Sequence, residues 1–434
     1  MQFHIDYNVI DLKNIHSKRL WMLILFIWAG LATPLVKFYS PEYPFVLVIN
    51  LLLCFYFYLK YQNNANGSFA INYNNPLLLF ALGSVCWYFM ICMKYGSIQK
   101  TDFTLFYSAF IGYISFKVFP SFVEFLKIFE DVLVKLCLLS LFVWISVTLF
   151  PFMSNVYDSL AIYKVTGGLD NSSFILFGYG HQMAGIFHRN LGFAWEAGRF
   201  ASFIVIGLFF NLCNHNMKIT VRKNLNFWIL FLTLISTFST TGIVAFAAIV
   251  ICFFYNKSVY SKTFMVIIGA LVIPSIVALP FIGEKIITSS DYNQEISNML
   301  YSFTVEGRTS ITPQRITGLY LEIQNFINDP LLGYNINEKS YVMNYLFRGY
   351  DVWLSDGFLQ IFSKYGIFVG LFFYYNLFNT SKFISTLYKV KGQLFFFLIF
   401  VLISFSYDFW GTGLTFYIVF YTFFQKDINK SVIF

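Results

Sequence analysis

Long runs of apolar residues, separated by short polar segments, dominate the chain. A helix needs about 20 apolar residues to cross a bilayer, and its backbone groups bond to one another there. Strands of a membrane barrel would alternate apolar with polar residues, and these runs do not alternate. The pattern predicts an all-α polytopic membrane protein with about twelve transmembrane helices in a single domain, 1–434. The predicted spans are 21–38, 44–60, 76–94, 103–120, 130–152, 197–216, 225–240, 241–256, 263–282, 356–377, 392–407 and 409–425.

The runs 225–240 and 241–256 follow each other without a loop between them. The stretch from Ser236 to Gly242 is small and polar, which leaves two interpretations open. The runs are either two spans joined by a tight turn or one bent span followed by a re-entrant piece.

Basic residues between the runs give an orientation, because cytoplasmic loops of membrane proteins are enriched in Lys and Arg. Twelve spans place both termini on one side, and the basic clusters fall on that side, which is therefore predicted to be cytoplasmic. Two larger loops, 153–196 and 283–355, then face outward. The basic residues on the predicted cytoplasmic side are Lys13, Lys18, Arg19, Lys218, Arg222, Lys223, Lys257, Lys262, Lys382, Lys389, Lys391, Lys426 and Lys430.

The second outer loop contains a predicted amphipathic helix. Thr312 suits the position before a helix and Pro313 its first turn, while Asn328-Asp329-Pro330 would end it. Such a helix would lie on the membrane surface or on the other outer loop. The apolar residues that recur at helical spacing are Ile316, Leu319, Tyr320, Ile323, Phe326 and Ile327.

Composition agrees with a membrane protein and excludes several other classes. Only 12% of the residues are charged and 58% are hydrophobic, whereas about 25% are charged in soluble domains. The net charge of +8 comes largely from lysines beside apolar runs, so no nucleic-acid binding is expected. The six cysteines lie in or beside apolar runs without metal-binding spacing, so neither a metal site nor a disulfide framework is expected. No small-residue cleavage site follows the run from Trp21, which is predicted to remain as the first span.

Arginine is distributed differently from lysine. Of only seven arginines, five belong to the predicted outer loops or their edges, although positive charge there opposes the topology signal. Arginine grips phosphate with a planar fork and stays charged when partly buried. The placement predicts an outer site for an anionic ligand such as a lipid-linked pyrophosphate. The alternative is a set of ordinary loop arginines paired with Asp and Glu. The five are Arg189, Arg199, Arg308, Arg315 and Arg348.

The end of the first outer loop holds one group of candidate residues. Glu196 and Arg199 are three positions apart, which makes them neighbours on one helix face, and Arg189 precedes them on a loop. A carboxylate and an arginine at the start of a span are costly unless they face a protein cavity. They are interpreted either as a site or as a structural ion pair.

Asp356, at the mouth of the next span, is the other candidate acid. It is placed to accept a proton from a hydroxyl nucleophile, or to cap a helix, and the two roles are compatible. The second outer loop has no histidine. His181 and His188 of the first outer loop are expected to make interface contacts rather than to act as bases or ligands.

Three local patterns resemble the O-antigen polymerase and ligase superfamily, the membrane glycosyltransferases of the Wzy and WaaL type. Arg189-Asn-Leu-Gly-Phe-Ala-Trp-Glu196 is similar to the Arg-x-x-Gly-x-x-x-Glu stretch that precedes a span in the polymerases. The second pattern runs from Arg315 to the turn Asn328-Asp329-Pro330-Leu331-Leu332-Gly333-Tyr334. The third is Ser355-Asp356-Gly357-Phe358-Leu359-Gln360, followed by Lys364-Tyr365-Gly366-Ile367. The large outer loop that the family places between its ninth and tenth spans corresponds to 283–355.

This resemblance implies a metal-independent transferase without a cofactor. Its donor would be a glycan on a polyprenyl pyrophosphate such as undecaprenyl pyrophosphate, and its acceptor another lipid-linked repeat unit. Arg189, Arg308 and Arg315 would bind the pyrophosphate, with Arg199 as a further candidate, and Asp356 or Glu196 would position or deprotonate the acceptor. Arg315, rather than Arg308, has the family's spacing to the Pro330 turn.

The resemblance favours a polymerase over a ligase. Ligases carry a histidine taken as the catalytic base in the third segment, where this chain has Ser355 and Asp356. It also implies a location in a bacterial inner or plasma membrane, with membrane lipid around the protein. A chain-length regulator is a further partner that the resemblance allows. A polysaccharide transporter or flippase is the main rival, and it would place polar groups near the middle of the membrane.

Overall fold

The computed structural model describes most of the chain, and helices dominate it. The residues described are 14–29, 44–62, 76–95, 103–161, 163–165, 171–174, 176–183, 187–194, 196–217, 224–256, 292–308, 310–311, 313–334, 342–347, 349–352, 354, 357–405 and 411–431.

Apolar helices form the body of the molecule, and some of them match predicted spans while others begin before or end beyond theirs. Along the chain they are α1 (Ile15–Ile24, continued by a π-helical turn, Leu25–Ala29), α2 (Pro44–Gln62), α3 (Pro76–Tyr95), α4 (Phe103–Val118), α5 (Phe122–Leu149), α6 (Phe152–Leu160), α7 (Ala197–Asn214), α8 (Leu225–Ser236) and α9 (Thr240–Asn256). After the second outer loop come α12 (Gly357–Leu387), α13 (Phe395–Ser404) and α14 (Gly413–Ser431).

The segments predicted to be the outer loops, 153–196 and 283–355, are called the first and second outer segments. Their described residues include two more helices and two small sheets. The first has β1 (Tyr163–Val165), β2 (Asn171–Ser173), β3 (Gly178–Met183) and β4 (Phe187–Asn190) in one antiparallel sheet, in the order in which they occur in the chain. The second has α10 (Tyr292–Thr304), α11 (Arg315–Asn328), a π-helical turn (Val342–Leu346), and β5 (Ser310–Ile311) paired in parallel with β6 (Asp351–Val352).

Within the described residues, three helices are long and apolar enough to cross a membrane by themselves, namely α5, α7 and α12. Seven further helices contain described apolar stretches of 10–17 residues. The turn at Thr237 and Phe238 divides 225–256 into two helices, α8 and α9. The predicted span 263–282 lies outside the described residues.

Aromatic side chains fill the core between these helices. The rings of Phe125 and Tyr417 lie 4.1 Å apart, so α5 meets α14 there. Gly112 lets α4 approach α14, because a Cβ at this position would lie 2.7 Å from the Cβ of Phe416. Between membrane helices such rings contribute by close van der Waals packing, because lipid is as apolar as the rings themselves.

Helix α5 begins eight residues before the predicted span 130–152. Its first turns carry acidic residues, whose charges the structure compensates through distant partners. The ammonium of Lys18 lies 2.7 Å from both carboxylate oxygens of Glu124. Glu130 accepts hydrogen bonds from Asn211 at 2.7 Å and Asn226 at 2.8 Å. Hydropathy left these residues out of the predicted span because it scores them without their partners.

Contacts between distant segments join ends that the predicted alternation of spans places on one side. Lys18 meets Glu124, Asn256 bonds to the backbone of Lys391, and the hydroxyl of Tyr421 accepts from the N–H of Phe122, all on the predicted cytoplasmic side. Lys94 pairs with Asp329, and Ser108 donates to the carbonyl of Gly411, on the predicted outer side. The contacts fit the alternation.

Two features of the outer segments differ from the sequence-based prediction. The sheet β1–β4 was not expected, since its strands are short, polar and rich in glycine, and therefore lack the alternation that marks a strand. Helix α11 was expected, but it begins at Arg315 and buries Thr317, Leu321 and Glu322 rather than its apolar stripe. Ile316, Tyr320 and Ile327 of that stripe are exposed, because the opposite face docks on α12.

Candidate functional site

Strand β4 fixes the position of Arg189. Its residues alternate in burial, so His188 and Asn190 face inward while Arg189 lies on the other face with Phe187. The indole of Trp144 donates to the carbonyl of His188 at 2.6 Å. Asn190 donates to Ser236 at 2.9 Å, which ties the strand to the end of α8. These bonds hold β4 against α5 and α8.

Arg189 is half-buried. Its Nε donates to the carbonyl oxygen of Thr237 at 3.3 Å. Burial lowers the pKa of Arg189, and the negative charge of Glu196 acts in the opposite direction. An arginine whose charge is only partly compensated in a low-dielectric setting attracts a further anion.

Glu196 lies between two other arginines. It occupies the N-cap position of α7. Its Oε1 lies 3.1 Å from Nη2 of Arg315, and its Oε2 lies 4.0 Å from Nε of Arg199. The predicted neighbours Glu196 and Arg199 are thus confirmed as neighbours. The contact with Arg315 joins the first outer segment to the second.

We call Arg189, Arg199, Arg315 and Glu196 the arginine cluster. Three positive charges and one negative charge leave a net charge of +2 on these four side chains. The side chains of Arg315 and Glu196 are 38% and 41% exposed, so the cluster is accessible from the surface of the protein. Such a group is suited to bind an anion with several oxygens, because each guanidinium offers a fork of donors.

Glu295, which sequence analysis did not single out, fixes the start of α11. Its Oε1 accepts from the backbone N–H of Gln314 at 2.6 Å, and its Oε2 accepts from the hydroxyl of Thr317. These two bonds flank Arg315. A carboxylate is favourable at a helix N-terminus. The helical spacing of Ile296, Met299 and Phe303, which are buried in α10, was the available sequence signal.

Other predicted residues lie elsewhere. Arg308 pairs with Glu306 at 3.0 Å and its side chain is 63% exposed. Among the described residues, Arg308 forms no ion pair or hydrogen bond with the arginine cluster, so it does not join Arg315 there. Asp356 and Arg348 lie outside the described residues, as does the side chain of His181. His188 is buried, with its ring 5.5 Å from that of Tyr179 in a structural contact.

Helix α12 is broken at Gly366, whose φ of 82° is left-handed. The turn Asp329–Tyr334 fills the break: the N–H of Ile367 donates to the carbonyl of Pro330 at 2.8 Å, and that of Tyr334 donates to Ser363 at 2.8 Å. The second and third sequence patterns therefore meet in space. Among the described residues, no group of three or more His, Cys, Asp or Glu side chains could hold a metal ion.

Glu322 and Ser363 join α11 to α12 beside this break. Glu322 is fully buried and accepts from the hydroxyl of Ser363. Burial raises the pKa of Tyr334, and the nearby carboxylate of Glu322 raises it further. The helix that begins with Arg315 is thus held at its start by Glu295, at its middle by Ser363 and at its end by the turn.

Comparisons with protein-family models, curated proteins and solved structures gave no match. The arginine cluster must therefore be interpreted from its own chemistry.

We expect Glu295→Ala to weaken binding of inorganic pyrophosphate by the purified protein about tenfold, because the first turn of α11 loses a cap worth roughly 1 kcal/mol and Arg315 loses its fixed position. Glu295→Gln keeps an acceptor for the Gln314 N–H and should retain most of the affinity. Isothermal titration measures both. Glu306→Ala, which removes an exposed carboxylate of the same outer segment, is the control. Equal losses in the Ala and Gln variants would contradict a positioning role.

Proposed function

We propose that the chain is a polysaccharide polymerase that joins repeat units carried on polyprenyl pyrophosphate at the outer face of a bacterial inner membrane. The observation that carries the proposal is the arginine cluster, in which residues of both outer segments converge around Glu196. A transferase needs this arrangement, since its leaving group is a pyrophosphate. A transporter would instead need charged groups along a central path.

The membrane placement rests on the apolar helices and the charge pattern. About twelve spans with both termini in the cytoplasm place the arginine cluster outside, where exported lipid-linked sugars are found. The exposed stripe Ile316, Tyr320 and Ile327 of α11 then faces the outer surface of the bilayer.

The proposed reaction is an attack by a sugar hydroxyl on an anomeric carbon. The hydroxyl oxygen forms the new bond to that carbon, and the bond from carbon to the pyrophosphate oxygen breaks with its electron pair. Arg189, Arg199 and Arg315 stabilise the charge that develops on the departing pyrophosphate. The hydroxyl proton passes to a carboxylate, either Glu196 or Asp356.

Glu196 has two consecutive tasks in this scheme. Without substrate it neutralises part of the charge on Arg315 and Arg199. When the pyrophosphate takes over these guanidinium groups, the carboxylate is released beside the reacting carbon. There it can hold the acceptor hydroxyl and take its proton.

Gel analysis of surface glycans tests the proposal in a strain that lacks the gene, with and without the wild-type gene restored. A polymerase predicts loss of the long ladder while a single attached repeat remains. Long lipid-linked chains that are not transferred would indicate a ligase instead. Repeat units retained on the cytoplasmic side would indicate a flippase. An unchanged ladder would contradict all three functions.

A further inference from the structure

A pair of aromatic side chains lies directly beside the arginine cluster. The rings of Phe187 and Phe238 are stacked, with centroids 6.1 Å apart and an angle of 27° between their planes. Phe187 is on the same face of β4 as Arg189, two residues away, and is 44% exposed. Phe238 follows Thr237, whose carbonyl accepts from Arg189. The aromatic pair and the guanidinium of Arg189 therefore share one surface.

Phe238 adopts a backbone conformation that is unfavourable for a bulky residue. Its φ of 48° lies in the left-handed region, which glycine and asparagine tolerate best. The tight turn between α8 and α9 imposes it, and the hydroxyl of Thr237 accepts from the N–H of Ser239 at 3.2 Å within that turn. The turn itself does not favour a phenylalanine at this position, so the presence of the ring indicates a function of its own.

The apolar surface continues from this pair along the membrane helices. Leu232 on α8 is 55% exposed and Val244 on α9 is 52% exposed, and each is six residues from Phe238. At 1.5 Å per helical residue, this is roughly 9 Å below the turn. A chain bound at the arginine cluster thus meets first the two rings and then the lipid-facing sides of α8 and α9.

We infer that Phe187 and Phe238 bind the first isoprene units of the polyprenyl chain, next to the pyrophosphate held by the arginine cluster. This inference rests on the proposed function and names the part of the substrate that the aromatic pair recognises. Two phenyl rings offer a large apolar surface and no hydrogen-bonding group. An isoprene unit is complementary to such a surface, and the exposed side chains of Leu232 and Val244 continue that surface for the units that follow.

Two probes separate recognition of the lipid from recognition of the phosphates. Inorganic pyrophosphate carries the anionic group alone, and farnesyl pyrophosphate adds three isoprene units. The full-length protein in detergent should bind farnesyl pyrophosphate more tightly. In Phe187→Ala combined with Phe238→Asn, that affinity should fall about tenfold or more, because both rings that contact the isoprene units are lost. The affinity for inorganic pyrophosphate should change by less than about twofold.

Single variants and a control guard against a general loss of structure. Asn suits the left-handed conformation at position 238, and Phe187 is exposed, so neither single variant should lower the melting temperature. Each should weaken farnesyl pyrophosphate binding in part. Phe142→Ala removes a phenyl ring that is 67% exposed on α5 and should leave the affinity for both probes unchanged.

The outcomes distinguish this inference from the proposed function. If the wild-type protein binds neither probe, the arginine cluster is not a pyrophosphate site and both fail. If it binds both probes and the aromatic variants change neither affinity, Phe187 and Phe238 only contact bulk lipid and this inference alone fails. If the variants weaken both probes equally, the rings act by placing Arg189, which also overturns direct lipid binding.

Discussion

Arg315→Ala should reduce chain extension at least about 100-fold, the loss that follows removal of a single group stabilising charge in a transition state. Arg315 is the residue of the second outer segment that enters the arginine cluster, with Nη2 at 3.1 Å from Glu196. Arg315→Lys should restore little, since an ammonium keeps the charge but lacks the fork that grips two phosphate oxygens. The measurement is the initial rate of extension with purified lipid-linked repeat units.

Arg308→Ala is a closely matched control. It removes the same residue type from the same outer segment, seven positions away, where the side chain is exposed and paired with Glu306. We expect a rate within about threefold of the wild-type rate, as for an ion pair in solvent. If Arg308→Ala were as damaging as Arg315→Ala, the site would lie elsewhere on the second outer segment. Wild-type rates in Arg315→Ala would rule out the arginine cluster as the reaction centre.

The contrast between these two arginines shows where sequence reasoning stops. Seven residues make two helical turns, so Arg308 and Arg315 would share a face if one helix carried both. Gly307 instead has a φ of 69°, and α11 starts only at Arg315. Arg308 therefore stays on the connection before the helix. Sequence analysis assigned Arg308 to the pyrophosphate site because of its residue type and its location in the loop. Neither property determines where its side chain lies in the folded protein.

Local sequence patterns correctly predicted those features that do not depend on contacts between distant segments of the chain. The predicted spans 44–60 and 76–94 match α2 and α3 to within two residues, because a run of apolar residues reports its own length. The pairing of Glu196 with Arg199 followed from helical geometry in the same way. The contact of Glu196 with Arg315 spans 119 residues, and no local pattern could supply it.

The small sheet and the broken helix were missed for a related reason. The strands β1–β4 are stabilised by one another and by α5 rather than by an alternating pattern of their own. The break at Gly366 becomes visible only with the turn that fills it, since Lys364-Tyr365-Gly366-Ile367 alone reads as a continuing span. The second and third sequence patterns identified the turn and the segment around Gly366 as notable, but they did not show that the two segments are in contact.

That junction supports the second strong prediction, that Gly366→Ala should destabilise the protein by about 3 kcal/mol or more. The left-handed φ of Gly366 is unfavourable for alanine by about 1–2 kcal/mol. In addition, the new Cβ would overlap the backbone carbonyl of Leu331, which has no side-chain freedom with which to move away. The turn would have to leave the break, exposing the carbonyl of Ser363 and the N–H of Ile367 that it satisfies.

Gly83→Ala provides the opposite case in the same molecule. Gly83 lies within the helix α3, and a Cβ there would meet nothing within 4 Å. Alanine should stabilise that helix by about 0.5–1 kcal/mol. Thermal unfolding of both variants in detergent measures the difference. Because the turn also holds the far end of α11, Gly366→Ala should impair chain extension even where folded protein is recovered, whereas Gly83→Ala should not. A Gly366→Ala protein that melts at the wild-type temperature would show that the turn does not occupy the helix break. The conclusion that α12 helps to position Arg315 through the turn and α11 would then be wrong.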